Sequence, residues 1–319
     1  MNTEPTIAVL LATYNGEKFL KQQLDSIFEQ TYTNIKIYIC DDNSVDTTFS
    51  ILQKYQKEYP KQIMLFKNEH NLGYVKNFEK LLNFSQEKYI AFCDQDDIWF
   101  KNKLELQIKE MLVLENAHKD TPCMVHSDLK MIDENNNILE KSYFEYRSYK
   151  LKQNKDLGHI LGPNGVMGNT MLFNEKLKAL VLPFPEKLDL HDYWVSVNNE
   201  LFGIRRTIYD PLVKYRIHTY NISNSKKTLQ KQQSIFFNRN IKLPNIETTR
   251  KFFLTQLLQD VESNDKKILE TYLNYLNFRG NRFNIYFSLL KFSLIKRDIL
   301  IRINIFFKIL LTTRYKSKV

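Results

Sequence analysis

The sequence predicts an α/β fold with a mostly parallel central sheet flanked by helices, followed by a helical, basic C-terminal extension. Three observations lead there. Over the first 130 residues, short β-branched or aromatic runs alternate with amphipathic stretches of helical length. Four of the apolar runs end in polar clusters, two of them acidic. From about residue 225 onward, Lys, Asn, Ile and Phe recur at helical spacing.

The alternation places strands at residues 6–12, 35–40, 63–66, 89–93 and 124–128. A helix over 17–30 puts Phe19, Leu20, Leu24, Ile27 and Phe28 on one face. Asp46 can cap the next helix, which carries Phe49, Ile51, Leu52 and Tyr55. Residues 101–116 repeat the design with Leu104, Ile108, Met111 and Leu112. Between 129 and 215 the periodicity loosens around Gly162-Pro163-Asn164-Gly165, Gly168-Asn169-Thr170 and Leu190-His191-Asp192-Tyr193-Trp194, and this stretch reads as the rest of the same domain. Ser223-Asn224-Ser225 marks a boundary, giving a first domain over 1–222 and a helical region over 223–319.

Composition narrows the function classes. With 8 Gly and 8 Pro in 319 residues, collagen-like and low-complexity readings are closed. Cys40, Cys93 and Cys123 each lie in or end a strand-like run, which points to buried thiols in a reducing compartment, not to disulfides or zinc. The first residues lack the pattern of a signal peptide and no run of 18 apolar residues occurs, so a cytoplasmic location is expected. The formal charge of +10 is concentrated at the end: from Gly280 to Val319, nine Lys and Arg face Asp298 alone. No helix-turn-helix, zinc-finger or RNP pattern accompanies that charge, so nucleic acid is not the expected partner.

In parallel sheets ligands gather at the carboxyl ends of strands, where loops vary freely and helix N-termini point at the crevice. Thr13-Tyr14-Asn15-Gly16, Asp41-Asp42-Asn43-Ser44, His70-Asn71-Leu72-Gly73 and Asp94-Gln95-Asp96-Asp97 all stand there. Three carboxylates within four residues repel unless a cation or strong donors neutralise them, which suits Mg²⁺ or Mn²⁺ shared with phosphate oxygens. A solvated turn and helix cap is the plainer reading of the same residues. Asp41-Asp42 has the same two readings, as a nucleotide contact or as a cap.

Taken together, the opening Ile-Ala-Val-Leu-Leu-Ala-Thr-Tyr-Asn-Gly, the later Ile-Cys-Asp-Asp-Asn-Ser and Phe-Cys-Asp-Gln-Asp-Asp-Ile-Trp, ending in Lys103-Leu104, resemble family 2 glycosyltransferases of the GT-A fold. The nearest likeness is to their bacterial rhamnosyltransferase-like branch, over roughly residues 5 to 220. The resemblance implies that Thr13, Tyr14 and Glu17 line the nucleotide, that Asp42 bonds the base, and that Asn71 with Gly73 and Asn77 sits beside the phosphates. It implies that Asp94 approaches the ribose, that Asp96, in the family's DxD segment, ligates the metal, and that Asp97 supports that shell. Asp192 matches the family's general base, with His191 in place of the commoner Glu. Tyr215-Arg216-Ile217-His218 followed by Asn221 is similar to a segment of the same branch, with His218 a metal or diphosphate contact and Arg216 offsetting phosphate charge.

The expected activity is inverting transfer of a hexose or a deoxyhexose such as rhamnose. It runs from a nucleoside-diphosphate donor to a glycan or polyprenyl-linked acceptor of a bacterial surface polysaccharide. Residues 285–295 and 299–311 interleave Phe, Ile and Leu with Lys and Arg, so that 282–319 can lie on an anionic membrane, at its inner face. Two rivals remain open at this point. A nucleotidyltransferase usually carries a Gly-rich basic loop after the first strand, which Thr13-Tyr14-Asn15-Gly16-Glu17 is not. A non-catalytic membrane-associated scaffold has no need to keep Asp94, Asp96 and Asp192 together.

Overall fold

The computed structural model describes residues 4–218, 248–261, 263–295 and 299–311. The chain divides into two compact units. The first takes Met1–Tyr143, Gln153–Lys155 and Val166–Arg216; the second takes Phe144–Lys152, Asp156–Gly165 and Ile217–Val319.

The first unit is built on one sheet of strands β1 (Ile7–Thr13), β2 (Ile35–Asp41), β3 (Ile63–Lys67), β4 (Tyr89–Cys93), β5 (Ile98–Trp99), β6 (Cys123–Ile132), β7 (Ile138–Glu140), β8 (Met171–Asn174) and β9 (Ile204–Arg216). Their spatial order is β3-β2-β1-β4-β8-β6-β9-β5, with β7 on β6. The run β3-β2-β1-β4 is parallel throughout, as the alternating pattern predicts. Beyond it β8 runs antiparallel to both β4 and β6, while β6 and β9 are parallel, so the sheet is mixed. Burial accounts for the centre: every residue of β4 and all but Ala12 of β1 are buried, which demands the continuous apolar runs these strands show.

Helices α1 (Leu20–Phe28), α2 (Thr48–Glu58), α3 (Tyr74–Phe84) and α4 (Lys103–Ala117) fall between the strands, followed by the short α5 (Tyr143–Arg147) and α6 (Leu157–Leu161). A 3-10 turn at Gly168–Thr170 leads into β8, and α7 (Glu175–Val181) and α8 (His191–Phe202) precede β9. The helix expected over 17–30 begins only at Leu20, because Gly16 to Phe19 form a turn in which the Phe19 and Leu20 N–H groups donate to the Gly16 carbonyl. The strand expected over 124–128 is twice as long, and its pairing with β9 is irregular around Ser127 to Leu129. A buried ion pair, Arg205 Nε to Glu200 Oε1 at 2.6 Å, joins α8 to β9.

In the second unit lie α6 and α9 (Thr248–Leu257), α10 (Ser263–Leu276), α11 (Arg282–Lys291) and α12 (Ile299–Leu311). Gly158 and Gly162 let α6 approach residues 292–294: a Cβ on them would meet the Phe292 and Leu294 carbonyl oxygens at 1.7 and 1.9 Å. Helices α11 and α12 meet through Tyr286 and Phe306, whose ring centroids are 4.9 Å apart, and Arg282 Nη1 donates to the Leu310 carbonyl at 2.6 Å. The boundary expected at 223–225, Asn221, Lys296 to Asp298 and the basic residues beyond 311 lie outside the described residues. Among the described residues, no helix is long and apolar enough to cross a membrane. All three cysteines are free and buried.

Candidate active site

The parallel strands bring the loops after β1, β2, β3 and β4 to one edge, and carboxylates knit those loops together. Asp41 Oδ1 accepts from Thr13 Oγ1 at 3.1 Å and from Ser44 Oγ at 2.6 Å, while the Asn15 N–H donates to Ser44 Oγ at 2.9 Å. Asn15 (φ 47°) and Asn43 (φ 63°) adopt the left-handed conformation, which Asn tolerates better than most residues. Glu17 Oε2 accepts from the Thr47 N–H at 3.0 Å and its hydroxyl at 2.6 Å, so it closes the N-terminus of α2. Asp46 also helps cap that helix, through the Thr48 N–H at 2.9 Å.

Asp42 is turned toward the third loop. Its carboxylate accepts from Asn68 Nδ2 at 2.7 Å, the Leu72 N–H at 2.8 Å and the Gly73 N–H at 2.9 Å. Gly73 sits at φ +81°, a conformation that favours glycine, and Asn71 Oδ1 accepts from its N–H at 3.0 Å. Asn77 is buried beneath, donating to the Cys40 carbonyl at 2.8 Å. Tyr14 stands half-exposed at the rim. Two residues absent from the sequence-based site set bind this rim to the acidic turn. The Gln95 amide makes two 2.9 Å hydrogen bonds to the backbone N–H and carbonyl of Tyr14. Gly16 allows it, because a Cβ there would lie 2.2 Å from Gln95 Oε1.

Within the acidic turn the three carboxylates differ. Asp97 is fully buried, accepting from Asn169 Nδ2 and from the Arg216 backbone N–H at 3.0 Å. Asp94 and Asp96 are partly exposed. Burial, together with the charges of Asp96 and Asp192, pushes the Asp94 carboxyl up to about 8. Burial and its two neighbours also drive Asp97 well above the usual carboxylate range. The Arg216 guanidinium clamps the turn from behind, donating to the Asp96 carbonyl at 2.8 Å, Gln22 Oε1 at 2.8 Å and Asn136 Oδ1 at 2.6 Å, over the Phe19 ring. Lys103 is fully buried with its Nζ 3.8 Å from the Trp99 ring centroid and bonded to Gln107 Oε1 at 2.9 Å; burial pushes its amine down to about 7.

Asp192 lies in the first turn of α8, where its carboxylate accepts from the Gly168 N–H at 3.3 Å and the Tyr193 N–H at 2.7 Å. His191 is buried in an aromatic box. It stacks on Phe78 at 4.3 Å and meets Phe92 and Tyr74 edge-on at 5.0 and 5.8 Å. Among the described residues neither ring nitrogen has a hydrogen-bond partner, and burial pushes the imidazole down to about 4, so it is neutral near pH 7. His218 belongs to the second unit.

The donor set around the turn fits a hard divalent cation: carboxylate oxygens, crowded and short of positive charge. Among the described residues no group of three His, Cys, Asp or Glu side chains is poised to hold a metal alone. Such cations commonly complete their shells with phosphate oxygens and water.

The raised Asp94 carboxyl has a signed consequence for stability. An unfolded Asp ionises near 3.8 and the folded one near 8, so the folded state holds an extra proton in between. The resulting penalty is absent below about pH 4 and complete above about pH 8. Urea midpoints of the metal-free protein should therefore fall across that window, and Asp94→Asn should flatten the fall. A wild-type midpoint that rises with pH, unaltered by the substitution, would contradict the carboxylate crowding described above.

Comparison with known proteins gives a consistent identity. The model of the family "Glycosyl transferase family 2" matches residues 8–177. An uncharacterized glycosyltransferase of Methanocaldococcus jannaschii is 33% identical over 72% of this chain and 76% of its own length. A UDP-Glc:alpha-D-GlcNAc-diphosphoundecaprenol beta-1,3-glucosyltransferase of Escherichia coli is 29% identical over 72% and 84%. A dTDP-rhamnosyl transferase of Shigella flexneri is 41% identical over 34% and 38%. Among solved structures, TarS 1-349 of S. aureus with UDP-GlcNAc aligns at TM-score 0.59 and 18% identity, covering 89% of this chain and 73% of that one. A mannosyltransferase of Pyrobaculum calidifontis with GDP-Man and Mn²⁺ aligns at 0.57 and 15%, covering 92% and 74%. The sheet, the acidic turn that follows β4 and these matches together establish that the chain belongs to glycosyl transferase family 2 and has the GT-A fold.

Proposed function

We propose that this chain is an inverting, divalent-metal-dependent glycosyltransferase that moves a hexose or a deoxyhexose such as rhamnose from a nucleoside-diphosphate donor to a glycan or polyprenyl-linked acceptor in bacterial surface polysaccharide synthesis. The single observation that carries the reading is the meeting of two carboxylate groups from distant parts of the chain. Asp192 of α8 lies close enough to the acidic turn for its charge to help raise the Asp94 carboxyl, which supports a base on α8 acting beside the donor. The relatives' substrates, an undecaprenyl-diphosphate-linked sugar for one and a dTDP-rhamnosyl donor by name for another, support the acceptor and donor classes.

In this reading residues 1–222 form the catalytic domain and 223–319 an accessory region. Thr13, Tyr14 and Glu17 border the nucleotide, and Asp42 and Asn71 shape the loop beside it. Asp94 faces the ribose, Asp96 serves as a metal ligand, and Asp97, His191 and Arg216 hold the site in shape. Mg²⁺ or Mn²⁺, when bound, offsets the charge that develops on the departing diphosphate. Asp192 takes the proton of the acceptor hydroxyl as that oxygen forms its bond to the anomeric carbon and the bond from that carbon to the diphosphate oxygen breaks. Attack from the face opposite the leaving group inverts the anomeric centre. His191, neutral and stacked, supports the turn that carries Asp192 without adding a charge beside it.

The accessory region supports a peripheral contact with the inner face of an anionic membrane. Phe283, Phe287, Ile299, Leu300, Ile303 and Phe307 are exposed on α11 and α12, interleaved with Arg282, Lys291, Arg302 and Lys308. Apolar burial in the headgroup boundary and attraction to anionic lipid add together on such a surface.

Two experiments test these readings. Purified protein incubated with Mn²⁺ and a panel of nucleotide sugars should release nucleoside diphosphate from one donor. With acceptor present, Asp192→Asn should cut transfer by a factor of roughly 10² or more, the scale of general-base catalysis. Release of diphosphate from no donor, or full transfer by Asp192→Asn, would overturn the assignment. Separately, Phe283→Ser/Phe287→Ser/Phe307→Ser should reduce co-sedimentation with phosphatidylglycerol vesicles several-fold. Unchanged co-sedimentation would remove the membrane contact.

A further inference from the structure

The 3-10 turn at Gly168–Thr170 touches both ends of the candidate site, and its residues have no place in the chemistry assigned so far. Gly168 gives its backbone N–H to the Asp192 carboxylate at 3.3 Å. Asn169, 1% exposed, gives its side-chain amide to the Asp97 carboxylate. The Thr170 carbonyl accepts from Gln107 Nε2 at 2.6 Å, and Gln107 in turn accepts from the buried Lys103 amine at 2.9 Å. Three successive residues thus join the base, the acidic turn and helix α4. The turn packs against the start of α8 at ordinary contact distance: a Cβ on Gly168 would lie 3.4 Å from both Asp192 Cβ and His191 Nε2.

Resting on the transferase reading above, we propose that Asn169 is a positioning residue: by holding Asp97 while its neighbour Gly168 holds Asp192, it sets the separation between the donor-side carboxylates and the general base. Neither residue touches the reacting atoms. The role needs an amide at position 169, because its N–H donates to a buried carboxylate. A carboxylate at that position would face Asp97 as a like charge, and an apolar side chain would leave Asp97 with one donor fewer.

Geometry of this kind acts on the rate of the bond-forming step more than on binding, since small misplacements of a reacting group cost rate steeply. The test uses the full chain with the donor that the panel identifies. Asn169→Leu should lower kcat for transfer about tenfold or more, while affinity for the nucleoside diphosphate with Mn²⁺, measured by calorimetry, stays within about threefold. Asn169→Asp, which keeps the size of the side chain but replaces the amide donor with a carboxylate facing Asp97, should show the same split and stands in if Asn169→Leu does not fold. A kcat within twofold of wild type in the folded variant would overturn the proposal, as would parallel losses of kcat and nucleotide affinity. Failure of the underlying reading is separable, because wild-type protein that turns over no nucleotide sugar refutes it before any variant is made.

Discussion

The site depends on keeping four carboxylates close together at one end of a sheet. Asp94, Asp96 and Asp97 leave β4 within four residues, and Asp192 approaches from α8. Charges so arranged repel, and burial of Asp97 removes the water that would screen them. The surrounding structure answers with donors on specific atoms: Asn169 and the Arg216 N–H on Asp97, and the Gly168 and Tyr193 N–H groups on Asp192. Asp94 answers the crowding differently: its raised carboxyl holds a proton near pH 7, which a bound cation would have to displace.

Much of this was legible in the sequence, for a physical reason. A parallel strand buried on both faces must be a continuous apolar run, so β1 and β4 announce themselves, and polar residues directly behind them must lie at the carboxyl edge. Asn15-Gly16 and Asn43-Ser44 likewise signalled turns, and both asparagines have positive φ. Other features were not legible because they rest on pairings between residues far apart. Nothing near Gln95 indicates that its amide binds the Tyr14 backbone 81 residues away, nor that Asn169 reaches Asp97 across 72. The antiparallel β8, only four residues long, carries no alternation by which its direction could be read.

The same distinction separates chemistry from architecture among the residues singled out. Glu17 and Asp42 lie among the expected nucleotide contacts, yet their carboxylates also hold α2 and the 71–73 loop in place. Arg216, from a segment similar to the rhamnosyltransferase-like branch, threads its guanidinium among carbonyls behind Asp96. A motif residue can thus serve the loop that it holds in place. His191 shows it most plainly: a buried neutral ring among Tyr74, Phe78 and Phe92 fixes the first turn of α8 by packing alone.

The central claim is that burial and the charges of Asp96 and Asp192 raise the Asp94 carboxyl in the metal-free protein. Titrating Mn²⁺ near pH 7 into protein saturated with its nucleoside diphosphate, in buffers of different ionisation enthalpy, measures the protons exchanged. With the Asp94 carboxyl pushed up to about 8, binding should release protons, and Asp94→Asn should reduce that release. Binding with no proton exchange, or with proton uptake, would contradict the account.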